Sequence, residues 1–260
     1  MGRVIAVTNQ KGGVGKSTTA VNLAAAMALD GGHVLLVDLD PQAHATSGVG
    51  VTRADVHTSI YDVLVNGLSL QSVLLPTKIR GLDLAPSSID LAGGEVELVG
   101  LSSREFRLRE ALRAVRDWYG VVLIDCPPSL ALLTINALVA ADEVIIPIQC
   151  EYYALEGLAR LVDSIELIRP RLNPQLEIAG VLLTMYDART KLSEQVAAEV
   201  RSHFGDQVFH TVIPRSVRLA EAPSFGQPAV TYDPASKGAE AYTALAQEVK
   251  SRVGQPAAAN

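Results

Sequence analysis

The chain has 260 residues, of which 48% are hydrophobic, 19% charged and 5% aromatic, and its formal net charge is -6. This composition excludes an intrinsically disordered chain, and the length suffices for one large core, since α/β domains often reach about 200–250 residues. The negative charge excludes a protein that coats nucleic acid through an overall basic surface, so any such contact must come from a local patch.

Short runs rich in Val, Ile and Leu alternate with helical patterns along the chain. We predict strands at residues 3–8, 34–38, 121–125, 144–148, 178–185 and 208–213, with a weaker candidate at 82–85. Helical patterns cover residues 16–30, 103–119, 131–140, 154–171, 191–204 and 237–253. Because the strands are nearly continuous apolar runs, the alternation predicts an α/β fold with a doubly wound, mainly parallel β-sheet and helices on both faces.

The strongest local signal lies between the first predicted strand and the first predicted helix. Residues 11–17 read Lys-Gly-Gly-Val-Gly-Lys-Ser. Glycines let backbone N–H groups close around phosphates at the positive end of a helix dipole. Lys16 can reach the β- and γ-phosphates of a nucleotide, and the Ser17 hydroxyl can bind Mg²⁺. The predicted nucleotide-binding residues of this phosphate loop are Lys11, Gly12, Gly13, Val14, Gly15, Lys16, Ser17 and Thr18.

Aspartates follow two other predicted strands. Asp38 and Asp40 come at the end of the second strand, and Asp125 ends the strand at 121–125. Ligands in open α/β sheets bind at the carboxyl ends of strands. Each aspartate alone could equally be a helix N-cap or a turn acceptor, but two such strand ends beside a phosphate loop favour a role in binding. Asp125 looks like a Walker B aspartate, which would hold Mg²⁺ through a bound water.

No repeat or linker interrupts the alternation, so we predict a single domain over residues 1–254 and a flexible tail at 255–260. Residues 51–81 are the least periodic, and we expect short helices there that cover the nucleotide side. Cys126 and Cys150 each follow an apolar run without a C-x-x-C pair, which favours buried, reduced thiols. The first residues lack a secretion signal and the most apolar run, 130–141, is too short to span a bilayer, so we expect a cytoplasmic protein.

The phosphate loop departs from the common pattern in two positions. Gln10 stands where that pattern begins with glycine, and Lys11 adds a second lysine. In this respect the loop resembles the deviant Walker A loop of the ParA/MinD superfamily of P-loop ATPases. The resemblance covers about residues 3–253. In four further segments the chain is similar to the chromosomal, Soj-type branch of ParA proteins. These read DLDPQAHATSGVG (38–50), QCEYYALEG (149–157), LTMYDART (183–190) and IPRSVRLAEAPSF (213–225).

The resemblance implies an ATPase that acts as a switch in DNA segregation. ATP and Mg²⁺ would bind and drive a sandwich homodimer, and the dimer would bind double-stranded DNA without sequence preference. A ParB-type centromere-binding protein would stimulate hydrolysis and release the DNA, which implies a nucleoid-associated protein. Because the first strand begins at residue 3, we expect no N-terminal DNA-binding extension.

Residue roles follow from the same resemblance. Lys11 would act catalytically in trans on the nucleotide of the partner subunit, in the manner of an arginine finger. Lys16 would act catalytically on the nucleotide of its own subunit, and Asp40 would position the attacking water. Asp38 would support the magnesium shell beside Ser17 and Asp125.

The adenine would lie against Pro214–Ser216 and near Met185. Ser216 departs from the asparagine usual in the family, so base selectivity is expected to be looser, and His44 replaces a common asparagine.

Two arginines, Arg189 and Arg218, match positions that contact DNA in the Soj-type branch. Charge alone would not select them, because residues 186–218 hold five basic against four acidic side chains, and solvated helix-end charges are the alternative. Dimerisation would double this weakly positive patch, which is how a chain of net charge -6 could hold phosphate.

Three other functions are open to a chain with this loop. A membrane-recruited regulator of the MinD type would need a C-terminal amphipathic helix, and residues 250–260 contain Gly254 and Pro256 without an apolar face, so we expect no membrane partner. An iron–sulfur ATPase like the nitrogenase iron protein would need cluster cysteines, whose pattern Cys126 and Cys150 lack. A biosynthetic synthetase of related fold would need a pocket for a carboxylate substrate; the chemistry of the residues leaves this alternative open, and the family resemblance argues against it.

Overall fold

Seven strands form one sheet in the computed structural model, which describes residues 2–151 and 154–252. The strands are β1 (Arg3–Val7), β2 (Val34–Asp38), β3 (Leu75–Pro76), β4 (Leu82–Ala85), β5 (Val121–Asp125), β6 (Glu143–Gln149) and β7 (Glu177–Thr184). Their order in the sheet is β3-β4-β2-β5-β1-β6-β7, and β3 alone among these pairs antiparallel to its neighbour. The mainly parallel, doubly wound sheet predicted from the alternation is confirmed.

Helices occupy the connections between the strands. They are α1 (Lys16–Leu29), α2 (His44–Gly48), α3 (Ile60–Leu64), α4 (Asp90–Leu98), α5 (Arg107–Arg113), α6 (Leu132–Ala140), α7 (Ala154–Leu172), α8 (Lys191–Phe204), α9 (Val217–Glu221), α10 (Ala229–Tyr232) and α11 (Lys237–Ser251). Short 3₁₀ helices lie at Arg53–Asp55, Leu70–Val73, Arg116–Trp118, Gly205–Gln207 and Ala222–Phe225. Within the described residues, no helix combines the length and the apolar character that crossing a membrane requires.

The sheet separates two hydrophobic cores, because successive side chains of a strand point to opposite faces. Val4 and Ala6 of β1 belong to the core beneath α4–α8, whereas Ile5 and Val7 belong to the core beneath α1 and α11. Both faces are therefore covered by helices, which explains the nearly continuous apolar runs of the central strands.

The parallel register gathers the functional strand ends at one edge of the sheet. β5 lies between β1 and β2, with Val7 and Asp38 each in register with Asp125. The loop that follows β1 is therefore adjacent to the two aspartates that end β2 and β5. The candidate site therefore combines the loop after β1 with the aspartates at the ends of β2 and β5.

Two predicted elements are wrong in form. Residues 208–213 are not a strand. Val208 makes an isolated bridge to Val181, and the backbone N–H groups of Phe209 and Ile213 donate to β7. Between them, the N–H groups of His210 and Thr211 donate instead to the Glu248 carboxylate of α11, so the ladder is not continuous. The helix expected over 103–119 is divided into α5 and a 3₁₀ turn. The start of α5 is set by Asn136, whose side chain forms hydrogen bonds with the backbone of Arg104 and Leu108.

Residues 51–81 do form short helices, but the expected position is wrong. Buried side chains of α3 and of the following 3₁₀ helix pack in the core beneath α4–α8, and none of the residues described as lining the nucleotide-side cavity comes from 51–81. α4 is an unpredicted helix, since Gly93 and Gly94 lower its helical propensity. The predicted tail at 255–260 and the last residue of the predicted 237–253 helix, Val253, lie outside the described residues.

Candidate functional site

The loop between β1 and α1 has an open, glycine-dependent backbone. Gly13 and Gly15 adopt φ values of 74° and 90°, in the left-handed region that side chains disfavour. A Cβ atom added to Gly12 or Gly13 would meet nothing within 4 Å, so this part of the loop faces open space. Gly15 directly precedes α1, which places the amino end of a 14-residue helix against that space. Such an arrangement suits an anion.

Side chains from two strand ends hold this loop in place. Asn9, only 4% exposed, accepts a hydrogen bond from the backbone N–H of Lys11 and donates one to the carbonyl of Pro147 in β6. The Thr184 hydroxyl, at the end of β7, lies 2.8 Å from the carbonyl of Val14 and 3.0 Å from that of Ile148. The sequence analysis missed both residues, because neither belongs to the loop motif.

Lys16 is a buried cation inside the loop. It is 6% exposed, and its ammonium donates a hydrogen bond to the carbonyl of Lys11 at 3.1 Å. Burial lowers the pKa of Lys16, while the carboxylates of Asp125 and Asp40 act in the opposite direction. A desolvated ammonium with few partners is well suited to bind an anionic ligand.

Asp38 and Asp40 have different surroundings although they are two residues apart. Asp38 is fully buried and accepts hydrogen bonds from the backbone N–H and the hydroxyl of Thr46, at 2.7 Å each, and from the N–H of Asp40 at 3.1 Å. Burial raises the pKa of Asp38 to about 6. Asp40 lines the cavity and accepts one hydrogen bond from the N–H of Gln42. Asp38 is thus held by the protein, whereas Asp40 faces the ligand space.

Asp125 is buried without a hydrogen bond. Neither carboxylate oxygen has a partner within the described residues. Burial and the neighbouring Asp38 carboxylate raise the pKa of Asp125 well above its ordinary value, and the nearby Ser17 hydroxyl and Lys16 ammonium oppose this shift. Two unpartnered oxygens beside a hydroxyl match the donors that Mg²⁺ prefers.

The described part of the chain contains no group of three or more His, Cys, Asp or Glu side chains that could hold a metal ion by itself. Mg²⁺ needs no such group, because it is commonly bound by one or two carboxylates together with substrate phosphates and water. The residues therefore fit a magnesium ion that arrives with a nucleotide. Ser17, Asp125 and the supporting Asp38 are the residues that would hold it.

A cavity of about 690 Å³ opens over the loop. Of the predicted nucleotide-binding residues, it brings together Gly12, Gly13, Gly15, Lys16, Ser17, Thr18, Met185, Pro214 and Ser216, and Asp40 joins them. Lys11, Val14, Asp38 and Asp125 are outside the described lining. The sequence analysis missed part of the lining, namely Asn22 and Tyr242 and the α9 region with Leu219, Ala220, Ala222, Pro223 and Gln227.

Part of the cavity wall is built by two paired backbone segments, which contain Met185 and Pro214. The N–H of Tyr186 donates to the carbonyl of Ile213, and the N–H of Arg215 donates to the carbonyl of Tyr186, both at 3.0 Å. Met185 has φ 51°, a strained conformation for a side-chain-bearing residue, at the point where β7 meets this pairing. The pairing brings together Met185 and Pro214, which both line the cavity, and their contact with a base stays a prediction.

The side chain of Lys11 points away from the cavity lining and towards the protein surface. Its ammonium lies 3.9 Å from Glu151, and its side chain is 46% exposed. Glu151 also lies 3.7 Å from Arg215. The two lysines of the loop therefore point in different directions, Lys16 into the protein and Lys11 towards its surface.

Arg189 and Arg218 are exposed at the surface, and neither is among the residues that line the cavity. Arg189 makes a two-pronged pair with Asp187, and hydrogen bonds from Arg189 lower the pKa of that carboxyl below its usual range. Arg218 pairs with Glu221 at 2.9 Å and with Asp233 at 3.1 Å. Both arginines are accessible but already paired with carboxylates. Cys126 and Cys150 are buried and free, as expected.

Comparison with known proteins places the chain in one family. A family model described as an AAA domain matches residues 2–178. The sporulation initiation inhibitor protein Soj of Bacillus subtilis is 57% identical over 249 residues, which cover 96% of this chain and 98% of Soj. The chromosome partitioning protein ParA of Caulobacter vibrioides is 54% identical over 252 residues, covering 96% and 94% of the two chains.

Solved structures agree with the fold, and two of them contain ADP and magnesium. Cobyrinic acid a,c-diamide synthase from Mycobacterium smegmatis, with bound ADP and magnesium, has a TM-score of 0.83 at 39% identity and covers 95% of this chain and 93% of its own. The septum site-determining protein MinD from Pyrococcus horikoshii, complexed with Mg-ADP, has a TM-score of 0.82 at 29% identity and covers 98% of both chains.

Proposed function

The chain belongs to the ParA/MinD superfamily of P-loop ATPases, in its Soj/ParA branch, and from this premise we propose an ATP-dependent switch for DNA segregation. The protein is a magnesium-dependent ATPase that converts ATP to ADP and phosphate, and its role lies in chromosome partitioning. In the proposed cycle, ATP drives a homodimer, the dimer binds double-stranded DNA without sequence preference, and a ParB-type protein stimulates hydrolysis and release.

In the proposed site the loop backbone and Lys16 hold the phosphates. Binding replaces the bond between Lys16 and the Lys11 carbonyl with contacts to charged oxygens, which are stronger hydrogen-bond acceptors. Mg²⁺ would neutralise phosphate charge, held by Ser17 and Asp125 with Asp38 in support. Met185, Pro214 and Ser216 form the wall for the base.

The single observation that carries the switch is the position of Lys11. Its charge belongs to the phosphate loop in sequence, yet its ammonium lies at the surface beside Glu151. A second subunit facing this surface could receive the ammonium at its own nucleotide, so that hydrolysis requires the dimer. A cation supplied in trans can be worth about 10³–10⁵ in rate.

Asp40 is proposed to orient the attacking water. It faces the cavity with one hydrogen bond, whereas Asp38 is fully engaged by Thr46 and Asp40. A carboxylate with free acceptor capacity in the ligand space can position a water for attack on the γ-phosphate. The buried Asp38 can instead keep the backbone of residues 38–46 in place around the magnesium position.

DNA binding is proposed to use Arg189 and Arg218. A dimer presents two copies of each arginine, and contacts to several phosphates add up to a measurable affinity. We propose that the protein works in the cytoplasm, associated with the nucleoid and without a membrane partner. We also propose that residues 1–254 belong to a single ATPase domain.

A synthetase is the second candidate, because three solved structures of one diamide synthase, at 38% to 39% identity, match this chain. The partitioning relatives are 57% and 54% identical over nearly the whole chain, which favours DNA segregation. The test is ATP turnover with and without duplex DNA and a candidate ParB-type peptide. Stimulation by both together supports the switch, and turnover that responds to neither contradicts it.

A further inference from the structure

Thr184 joins the two halves of the nucleotide site, and we propose that it is a positioning residue that sets the phosphate loop relative to the base wall. This inference rests on the proposed placement of the nucleotide. Thr184 is 2% exposed, and its hydroxyl lies 2.8 Å from the Val14 carbonyl of the loop. The next residue, Met185, lines the cavity at the base end.

The contacts around Thr184 make it a rigid link. Its hydroxyl is also 3.0 Å from the Ile148 carbonyl, so one donor is shared between the loop and β6. Its Cγ2 methyl faces Gly15, since a Cβ added to Gly15 would lie 3.9 Å from it. The hydroxyl and the methyl of Thr184 are therefore directed at two different parts of the loop.

The other side of the link is equally fixed. Met185 takes φ 51°, and Tyr186 is then paired through backbone hydrogen bonds with Ile213 and Arg215. A shift of the loop against Thr184 would consequently change the distance between phosphate cradle and base wall. A ligand with two anchors is sensitive to that distance, whereas a ligand that uses the loop alone is not.

Replacing the hydroxyl lets the loop take other arrangements in the free protein. A ligand that needs one particular arrangement of the loop then binds more weakly, in proportion to the fraction of protein molecules whose loop still has that arrangement. Without the hydroxyl, the buried carbonyl of Val14 loses this hydrogen bond in the aligned loop. The free-energy cost is large enough to reduce the fraction of molecules with the aligned loop by about tenfold. ATP needs the aligned arrangement, but inorganic tripolyphosphate can follow the loop.

The experiment compares ATP and tripolyphosphate binding by calorimetry in the full-length protein with Mg²⁺. Thr184→Val keeps the shape and removes the donor, and we expect about tenfold weaker ATP binding with tripolyphosphate within about threefold of wild type. Thr184→Ser keeps the donor and should restore most of the ATP affinity. Thr77→Val removes a similar hydroxyl bond, to the Leu82 carbonyl away from the cavity, and should change neither ligand.

Equal losses of affinity for ATP and tripolyphosphate would overturn the proposal, since Thr184 would then shape only the loop. Unchanged affinity for both ligands would overturn it as well. If Thr184→Val does not fold, Thr184→Cys provides the same comparison with a weaker donor. Wild-type protein that binds neither ligand would instead contradict the proposed nucleotide site, which keeps the two failures distinct.

Discussion

The ammonium of Lys16 donates a hydrogen bond to the backbone carbonyl of Lys11 over 3.1 Å. One lysine of the phosphate loop is thus folded onto the backbone of the other, whose own side chain leads away to the surface. The arrangement divides two tasks between two lysines only five positions apart. Lys16 is placed to bind phosphate within its own subunit, and Lys11 to act outside it.

Lys16→Ala should remove ATP binding, because the phosphates lose a desolvated cation in a buried site. We expect a loss of about 3 kcal/mol or more, roughly a hundredfold in Kd, measured by calorimetry with Mg-ATP. Lys78→Ala, at an exposed lysine away from the cavity, is the matched control. Unchanged affinity in the Lys16 variant would rule out this lysine as the phosphate ligand.

Lys11→Ala should retain ATP binding within about threefold while turnover falls about 10³-fold or more, if the ammonium acts in trans. Light scattering with ATP should show a monomer where the wild type forms a dimer. The trans role fails if the variant still assembles with ATP and hydrolyses it at the normal rate.

Asp40→Ala should trap an ATP-bound dimer, since removing the water-positioning carboxylate slows chemistry by about 10²–10⁴ and leaves the phosphate cradle intact. Asp40→Asn keeps an acceptor for the N–H of Gln42 and isolates the effect of the charge. Single-turnover hydrolysis and ATP affinity are the readouts. Loss of ATP binding in both variants would assign Asp40 to the structure or the magnesium shell.

Arg218→Glu, alone or with Arg189→Glu, should remove DNA binding and spare the ATP-dependent dimer. Each neutralised phosphate contributes about 0.9 to the slope of log K against log salt, so wild-type affinity should fall sharply between low and physiological salt. Titrations with ATP, ADP and no nucleotide at two salt concentrations measure both effects. Equal wild-type binding without ATP contradicts the switch, and a double variant that binds normally contradicts the arginine assignment.

Asp233→Asn should strengthen DNA binding by the ATP-bound dimer, because Arg218 loses one of the two carboxylates that compete with phosphate. Exposed ion pairs are worth about 0–1 kcal/mol, so the gain should not exceed about fivefold. Asp206→Asn, on the surface at the 3₁₀ turn after α8, controls for the change in net charge. Equal gains in the two variants would mean that overall charge, not release of Arg218, sets the affinity.

The sequence by itself determined the elements whose causes are local. A phosphate loop between a strand and a helix needs only neighbouring residues, so the positions of Gly13, Gly15 and Lys16 could be predicted from spacing. Nearly continuous apolar runs likewise predicted a sheet covered on both faces, because burial on each side demands it. The ends of β2 and β5, with Asp38 and Asp125, followed from the same reasoning.

Only the tertiary structure decided which distant residues complete these elements. Thr184 holds the loop from 170 positions away, and Glu248 binds two backbone N–H groups inside the segment 208–213, which was predicted as a strand. Asn136 sets the start of α5 in the same manner. These hydrogen bonds join backbone groups of one segment to side chains of another, so no local pattern contains them. The surface position of Lys11 and the carboxylate pairing of Arg218 also depend on how separate segments pack, which periodicity and spacing do not specify.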